Sequence, residues 1–234
     1  MQKRQISVII APMSIFSIDN LMKVGAHYGY TRTRRHPSTK SYVATFSNGV
    51  DFIDLEKTIA DFDKAVAFLK SVAAANKQIL FVGTKPEIRQ TVKEIALSMN
   101  QPYVADRYIG GAITNFPQIK KRIEKLHELL SKKEKGELAV YTKKEQMLIQ
   151  KDIERLDRNF GGLSNVTGLP GAIVIVDAKK EDMCIKEAQR MRIPVVALAN
   201  TDCDINGIEY PIVCNEGAPV SVRTFLEAIK KELA

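Results

Sequence analysis

Apolar residues fall along this chain in two alternating rhythms. Short unbroken runs occur at Ile79–Gly83, Ala172–Asp177 and Pro194–Ala199, with shorter candidates at Tyr103–Ala105 and Tyr210–Cys214. Runs of this kind read as strands, and the lack of polar alternation is what a parallel sheet covered on both faces requires. Between them lie stretches of three- and four-residue period. Leu55, Ile59, Phe62, Val66, Leu69 and Val72 form one stripe; Ile88, Val92, Ile95 and Met99 form a second; Val222, Phe225, Leu226, Ile229 and Leu233 form a third. Each predicts a helix with one buried face. The alternation of strand and helix predicts an α/β fold, a doubly wound and mainly parallel sheet with right-handed crossovers.

Residues 115–160 break that rhythm. Ile119, Ile123, Leu126 and Leu130 stand four, three and four apart, and Ile149, Ile153, Leu156 and Phe160 repeat the spacing beyond Lys135-Gly136. Two such stripes around a loop predict an inserted, protruding antiparallel coiled-coil hairpin. Gly110-Gly111 and Gly161-Gly162 at its roots fit a chain leaving and re-entering the sheet layer. The expected organisation is an N-terminal extension over residues 1–20, an α/β domain over 21–114 and 161–234, and the hairpin over 115–160. Lys3 and Arg4 precede an apolar run from Ile6 to Phe16, the outline of a secretory signal. Pro12 interrupts that run and no A-x-A site follows, so a basic arm or an added strand is expected instead.

Composition narrows the class. At 234 residues and 45% hydrophobic, the chain is long enough to bury a large core and too apolar to be mainly disordered. No run of about 18 apolar residues exists, so no membrane-spanning helix is expected. Cys184, Cys203 and Cys214 form no CxxC pair, which points away from disulfides and zinc fingers and toward a reducing cytoplasm. The net charge of +8 is segregated. Residues 1–48 hold seven Lys/Arg against one acid and residues 115–160 hold twelve against eight, while residues 161–234 hold eight against ten. A basic excess confined to two segments fits a polyanion bound by part of the surface; a solvated basic face is the plainer alternative.

Enzyme fingerprints are missing where an α/β fold would carry them. There is no G-x-G-x-x-G and no G-x-x-x-x-G-K-[ST]. Gly83-Thr84-Lys85 could offer amides to a phosphate, but it reads as readily as a strand end leading into a helix started by Pro86. His27, His36 and His127 lack a nucleophile motif or metal-ligand spacing, so no catalytic residue, metal or cofactor is expected. Asp106, Asp177 and Asp202 sit at strand ends, where function and capping are both common. The strongest local signal is Gly25–Pro37, continuing to Lys40 and Tyr42. There Arg32, Arg34, Arg35 and Lys40 could meet phosphates, and His27, Tyr28 and Tyr30 could stack on exposed bases. A second mixed cluster, Arg107–Phe116, adds Arg107 and Tyr108; a packed elbow for the hairpin explains it as well.

Taken in order, these clusters resemble the bacterial form of the second small-subunit ribosomal protein family. The resemblance rests on Val24–Gly29, Gly49–Thr58, Phe81–Lys85, Arg107–Gly111 with Thr114-Asn115-Phe116, and Thr142–Glu145. Gly161-Gly162-Leu163, Leu169-Pro170, Ile185–Ala188 and Ile193-Pro194-Val195 complete it. It implies a non-enzymatic constituent of the small subunit that binds its ribosomal RNA near the junction of head and body. It also implies neighbouring ribosomal proteins as partners, the large mRNA-binding protein among them. Neither a membrane nor a small-molecule substrate is expected. Tyr30 stands where the family usually has a histidine, Tyr108 where it has a tryptophan, and Gly171 where it has an aspartate. The location implied is the cytoplasm or an organelle with bacterial-type ribosomes. The alternative is an enzyme binding a phosphorylated metabolite or nucleotide near Thr84 and Asp177; a third reading makes the hairpin mainly a protein-docking arm.

Overall fold

A computed structural model describes residues 16–233. The first helix, α1 (Ile18–Lys23), is capped by Ser17, whose hydroxyl oxygen accepts the Asn20 N–H. Strands β1 (Tyr28–Thr31), β2 (Val43–Ser47) and β3 (Val50–Ile53) then form a small antiparallel sheet in the order β1-β3-β2. Helix α2 (Leu55–Ala74) starts at Asp54, whose carboxylate accepts the Glu56 N–H. There follow β4 (Ile79–Val82), α3 (Arg89–Ser98), β5 (Tyr103–Val104), α4 (Phe116–Glu134), α5 (Lys143–Phe160), β6 (Ala172–Val176), α6 (Asp182–Met191), β7 (Val195–Ala199), β8 (Tyr210–Val213) and α7 (Pro219–Leu233).

Strands β4 to β8 pair in parallel in the order β5-β4-β6-β7-β8. Their side chains alternate between two faces, and helices cover both. Ile79, Phe81, Val174, Val196, Leu198 and Ile212 pack with Leu21, Phe62, Val92 and Phe225 from α1, α2, α3 and α7. Leu80, Val82, Ile173, Ile175, Val195 and Ala197 pack with Ile119, Ile153, Leu156 and Ala188 from α4, α5 and α6. This double covering is why the strands read as unbroken apolar runs. The five strands predicted from those runs are all present, and every residue of the α2 stripe is buried.

The differences from expectation have local causes. The small antiparallel sheet was not among the predicted elements because β2 shows no buried face: one half-buried residue precedes four exposed ones. Its signal is instead Asn48-Gly49, both at positive φ in the tight turn between β2 and β3. Pro86 opens a turn rather than a helix, and α3 begins three residues later at Arg89. Helix α6 follows no apolar stripe noted in the sequence, yet the parallel pairing of β6 and β7 demands a crossover there. Phe16 packs its ring 4.9 Å from Phe62 and 5.2 Å from Phe225, so the fold takes in residues before Leu21. The basic arm or strand expected for residues 1–15 lies outside the described residues. Among the described residues, no helix is long and apolar enough to cross a membrane.

Helices α4 and α5 follow one another across a short turn and pack together through Ile119, Ile123, Leu126, Ile153, Leu156 and Phe160. Lys133 Nζ donates to Gln150 Oε1 at 2.8 Å across the pair. Thr142 and Glu145 form a reciprocal capping box at the start of α5. Toward the turn the stripe opens to solvent: Leu130 is exposed, and Val140 is 90% exposed.

These contrasts set a stability scale. Phe62→Ala, at a fully buried ring, is expected to cost about 3–5 kcal/mol in urea unfolding. Val140→Ala is expected to change stability by less than about 0.5 kcal/mol in the same measurement.

Candidate nucleic-acid interface

The arginine-rich segment is a turn mounted on the C-terminal end of β7. Thr201, which follows that strand, accepts the Tyr30 N–H at its hydroxyl (2.9 Å) and the His36 N–H at its carbonyl (2.8 Å). Gly29 makes the approach possible, since a Cβ there would lie 2.8 Å from the Thr201 methyl and 3.0 Å from the Asp51 carbonyl oxygen. Between the two attachment points the chain turns on itself, with Arg34 N–H donating to Thr31 O at 2.8 Å.

The predicted site residues divide into those presented and those retained. Arg32 and Arg34 are exposed, each held over an aromatic ring: Arg32 lies 5.8 Å from the Phe46 centroid, and Arg34 lies 5.4 Å from that of Tyr30. Among the described residues neither guanidinium has an ion-pair partner. Lys40 is exposed as well. Arg35 is different, because its guanidinium pairs at 3.3 Å with the fully buried Asp51. Its charge is already engaged inside the protein.

His27, Tyr28 and Phe52 form an aromatic cluster, with the His27 ring 4.1 Å from Tyr28 and 5.8 Å from Phe52. Burial lowers the His27 pKa and favours the neutral ring, so it contributes stacking area rather than charge. Tyr28 presents about half of its surface. Tyr30 is half-buried beneath Arg34, and burial followed by the field of Glu216 raises its phenol pKa.

Sequence reasoning missed Lys179. It is exposed, pairs with Asp202 at 2.8 Å and lies within the field of Arg34. The available signal was a Lys179-Lys180 pair directly after a buried strand, at the sheet edge where doubly wound folds meet their ligands.

The Arg107–Phe116 cluster is a packed elbow. Tyr108 is only 9% exposed and belongs to the core under the sheet, so its ring is not offered for stacking; Arg107 is exposed. The elbow wraps the buried carboxylate of Glu187. That group accepts the N–H groups of Gly111 (2.6 Å), Ile113 (3.2 Å) and Thr114 (3.1 Å), together with the Thr114 hydroxyl. Burial works against the charged form, but the backbone donors and the Thr114 hydroxyl outweigh it and lower the Glu187 pKa overall. Just beyond α5, Gly162 sits against the Tyr103 carbonyl, where a Cβ would clash.

The strand order reverses between β4 and β6, and the crevice there is the expected seat of a phosphorylated ligand. The protein fills it with its own charges. Lys85 Nζ pairs with Asp177 at 2.8 Å and with Glu216 at 3.0 Å, while the Thr84 hydroxyl donates to Glu181. Burial opposes the Lys85 charge, yet its two carboxylate partners raise its pKa overall. Burial raises the Glu216 and Glu181 pKa values, with Lys85 and Thr84 offsetting part of the effect. Lys85 is thus committed to two carboxylates, with a third beside Thr84, and Lys180 Nζ donates to the Thr84 carbonyl at 3.0 Å. Asp106 pairs with Arg89 at 3.3 Å, and Asp202 with Lys179. Among the described residues no three His, Cys, Asp or Glu side chains converge as metal ligands would.

Comparison with known proteins decides the ancestry of this architecture. Residues 21–234 match the family model described as ribosomal protein S2. The small ribosomal subunit protein uS2 of Chloroflexus aggregans is 39% identical over 215 residues, covering 92% of this chain and 90% of that protein. The chain belongs to the ribosomal protein S2 family. The uS2 proteins of Roseiflexus sp. (strain RS-1) and Petrotoga mobilis are similar to it at 40% and 38% identity, over 89% and 94% of this chain and 80% and 75% of their own lengths. With S2 membership and a crevice filled by internal ion pairs, the phosphorylated-metabolite enzyme reading falls.

The elbow of this S2-family chain yields a pH-dependent prediction. Glu187→Gln is expected to cost on the order of 3 kcal/mol at neutral pH by replacing an ionised acceptor with an amide. Since the folded-state pKa of Glu187 is depressed, its contribution is complete above the ordinary carboxylate range and fades as pH falls through the folded value. The stability difference between wild type and Glu187→Gln should therefore shrink below about pH 4, as read by urea titrations at several pH values.

Proposed function

We infer that this chain is a structural constituent of the small ribosomal subunit, acting in translation and not as an enzyme. We propose further that it binds small-subunit ribosomal RNA through the edge formed by Arg32, Arg34, Lys40 and Lys179. The observation that carries this is the pair of guanidiniums held over Phe46 and Tyr30 without an ion-pair partner among the described residues, with an exposed Tyr28 ring on the same strand as Tyr30. Forked cations above aromatic planes suit a backbone of phosphates with unstacked bases nearby. His27 and Tyr30 support this surface from below, Arg107 extends it, and Arg35 holds it to the sheet. Tyr108 acts from the core.

The α/β domain comprises residues 21–114 and 161–234, and residues 115–160 form a coiled-coil arm that protrudes from it. Support comes from the two matched stripes, buried near the roots and opening to solvent near the turn. Its basic outer residues, among them Lys144, Lys151 and Arg155, fit further phosphate contacts or neighbouring ribosomal proteins. The large mRNA-binding protein of the subunit is one such neighbour on the resemblance of the sequence. The setting is the cytoplasmic ribosome.

The test is binding of the full chain to a small-subunit ribosomal RNA transcript across a salt series. Arg32→Ala and Arg34→Ala are each expected to lower the slope of log affinity against log salt by about one unit. Tyr108→Phe should leave the slope unchanged. Wild-type affinity and slope in both arginine variants would count against this interface. At the level of the cell, stoichiometric sedimentation with small subunits is expected, resisting a moderate salt wash.

A further inference from the structure

Thr201 gathers both ends of the arginine turn onto one residue. It lies 171 positions away in sequence from Tyr30, is fully buried, and uses two different oxygens for the task. Its hydroxyl takes the Tyr30 N–H at 2.9 Å, at the entrance of the turn. Its carbonyl takes the His36 N–H at 2.8 Å and the Thr39 hydroxyl at 2.7 Å, at the exit. The Thr201 N–H in turn donates to Asn200 Oδ1 at 2.7 Å, which fixes the anchor to the end of β7. Only Thr31 to Arg35 lie between the two attachments, and the Arg35–Asp51 pair adds a third point at 3.3 Å.

We propose that Thr201 is the positioning residue of the RNA-contacting arginines: it holds Arg32 and Arg34 in their presented geometry without touching RNA itself. The proposal rests on the reading of the arginine turn as an RNA contact. The physical reason is preorganisation. A turn pinned at both ends to a rigid strand end has lost its conformational freedom before RNA arrives, so that cost does not fall on binding. Losing the hydroxyl leaves the Tyr30 N–H, at the entrance of the turn, without its acceptor, and Tyr30 is also the ring that carries Arg34. The two arginines then disengage together.

The experiment measures binding of the full chain to a small-subunit ribosomal RNA transcript over a salt series, with a thermal melt of each variant. Thr201→Val, which removes the hydroxyl at nearly constant volume, is expected to match the combined Arg32→Ala/Arg34→Ala variant, with a salt slope lower by up to about two units. Thr201→Ser keeps the hydroxyl and is expected to keep the wild-type slope. Adding Thr201→Val to the two arginine substitutions should change affinity no further. Thr39→Val removes the hydroxyl that holds the exit of the turn and should act in the same direction, which answers the case of one variant failing to fold. A wild-type slope in both Thr201→Val and Thr39→Val, while the arginine variant binds poorly, overturns the positioning role alone. So does a Thr201→Ser chain as weak as Thr201→Val, or a fully additive loss. Wild-type binding by the arginine variant sinks the RNA reading of the turn and this proposal with it.

Discussion

The covering of one parallel sheet on both faces is the constraint from which the other features follow. Parallel strands need crossovers, and crossovers place helices over both faces. Phe62 and Phe225 close one layer; Ile123, Ile153 and Leu156 close the other. The carboxyl ends of the strands are consequently gathered along one edge, where the connecting loops carry Lys85, Asp177, Lys179 and Thr201. In many α/β proteins that edge is where chemistry happens. Here it serves as a mounting plate: Lys85 is held between Asp177 and Glu216 inside it, and Thr201 fastens an arginine turn on top.

Two buried carboxylates each tie a polar segment to the fold. Asp51 holds Arg35, and Glu187 holds the backbone of the elbow from which α4 departs. Each is sheltered from water and meets donors from another segment, the Arg35 guanidinium at Asp51 and three backbone N–H groups with the Thr114 hydroxyl at Glu187. Such groups favour one arrangement of the chain strongly, because leaving either side unpaired in the interior is costly. They add polar ties to a basic turn and to the root of α4, whose pair with α5 is also packed onto the sheet through Ile119, Ile123 and Leu156.

Much of the fold was legible in the order of apolar and polar residues. The five parallel strands announce themselves as unbroken apolar runs, and α2, α3, α7 and the stripes of α4 and α5 by helical period, since burial selects the side chains on each covered face. The small antiparallel sheet did not, because half-exposed strands such as β2 carry no such selection, and only Asn48-Gly49 betrayed it. Within the proposed site, Arg32, Arg34 and Lys40 stand exposed, as basic residues of a polar turn are expected to. Tyr108 was misjudged as an interface ring because aromatic character near an arginine looks alike whether the ring faces solvent or the core. Lys179 was overlooked because nothing local distinguishes it from other surface lysines.

By itself, the sequence determined the alternation of strands and helices, the segregation of positive charge and membership of the S2 family, each a property that local composition or ordered motifs carry. The tertiary structure alone decided which charges are spent internally. Arg35 and Lys85 look as available in sequence as Arg32 and Arg34, and only the arrival of Asp51, Asp177 and Glu216 from other strands and loops tells them apart. The reason is that pairing in a folded chain is set by distance in space, and residues such as Tyr30 and Thr201 meet only once the sheet has brought its strand ends together.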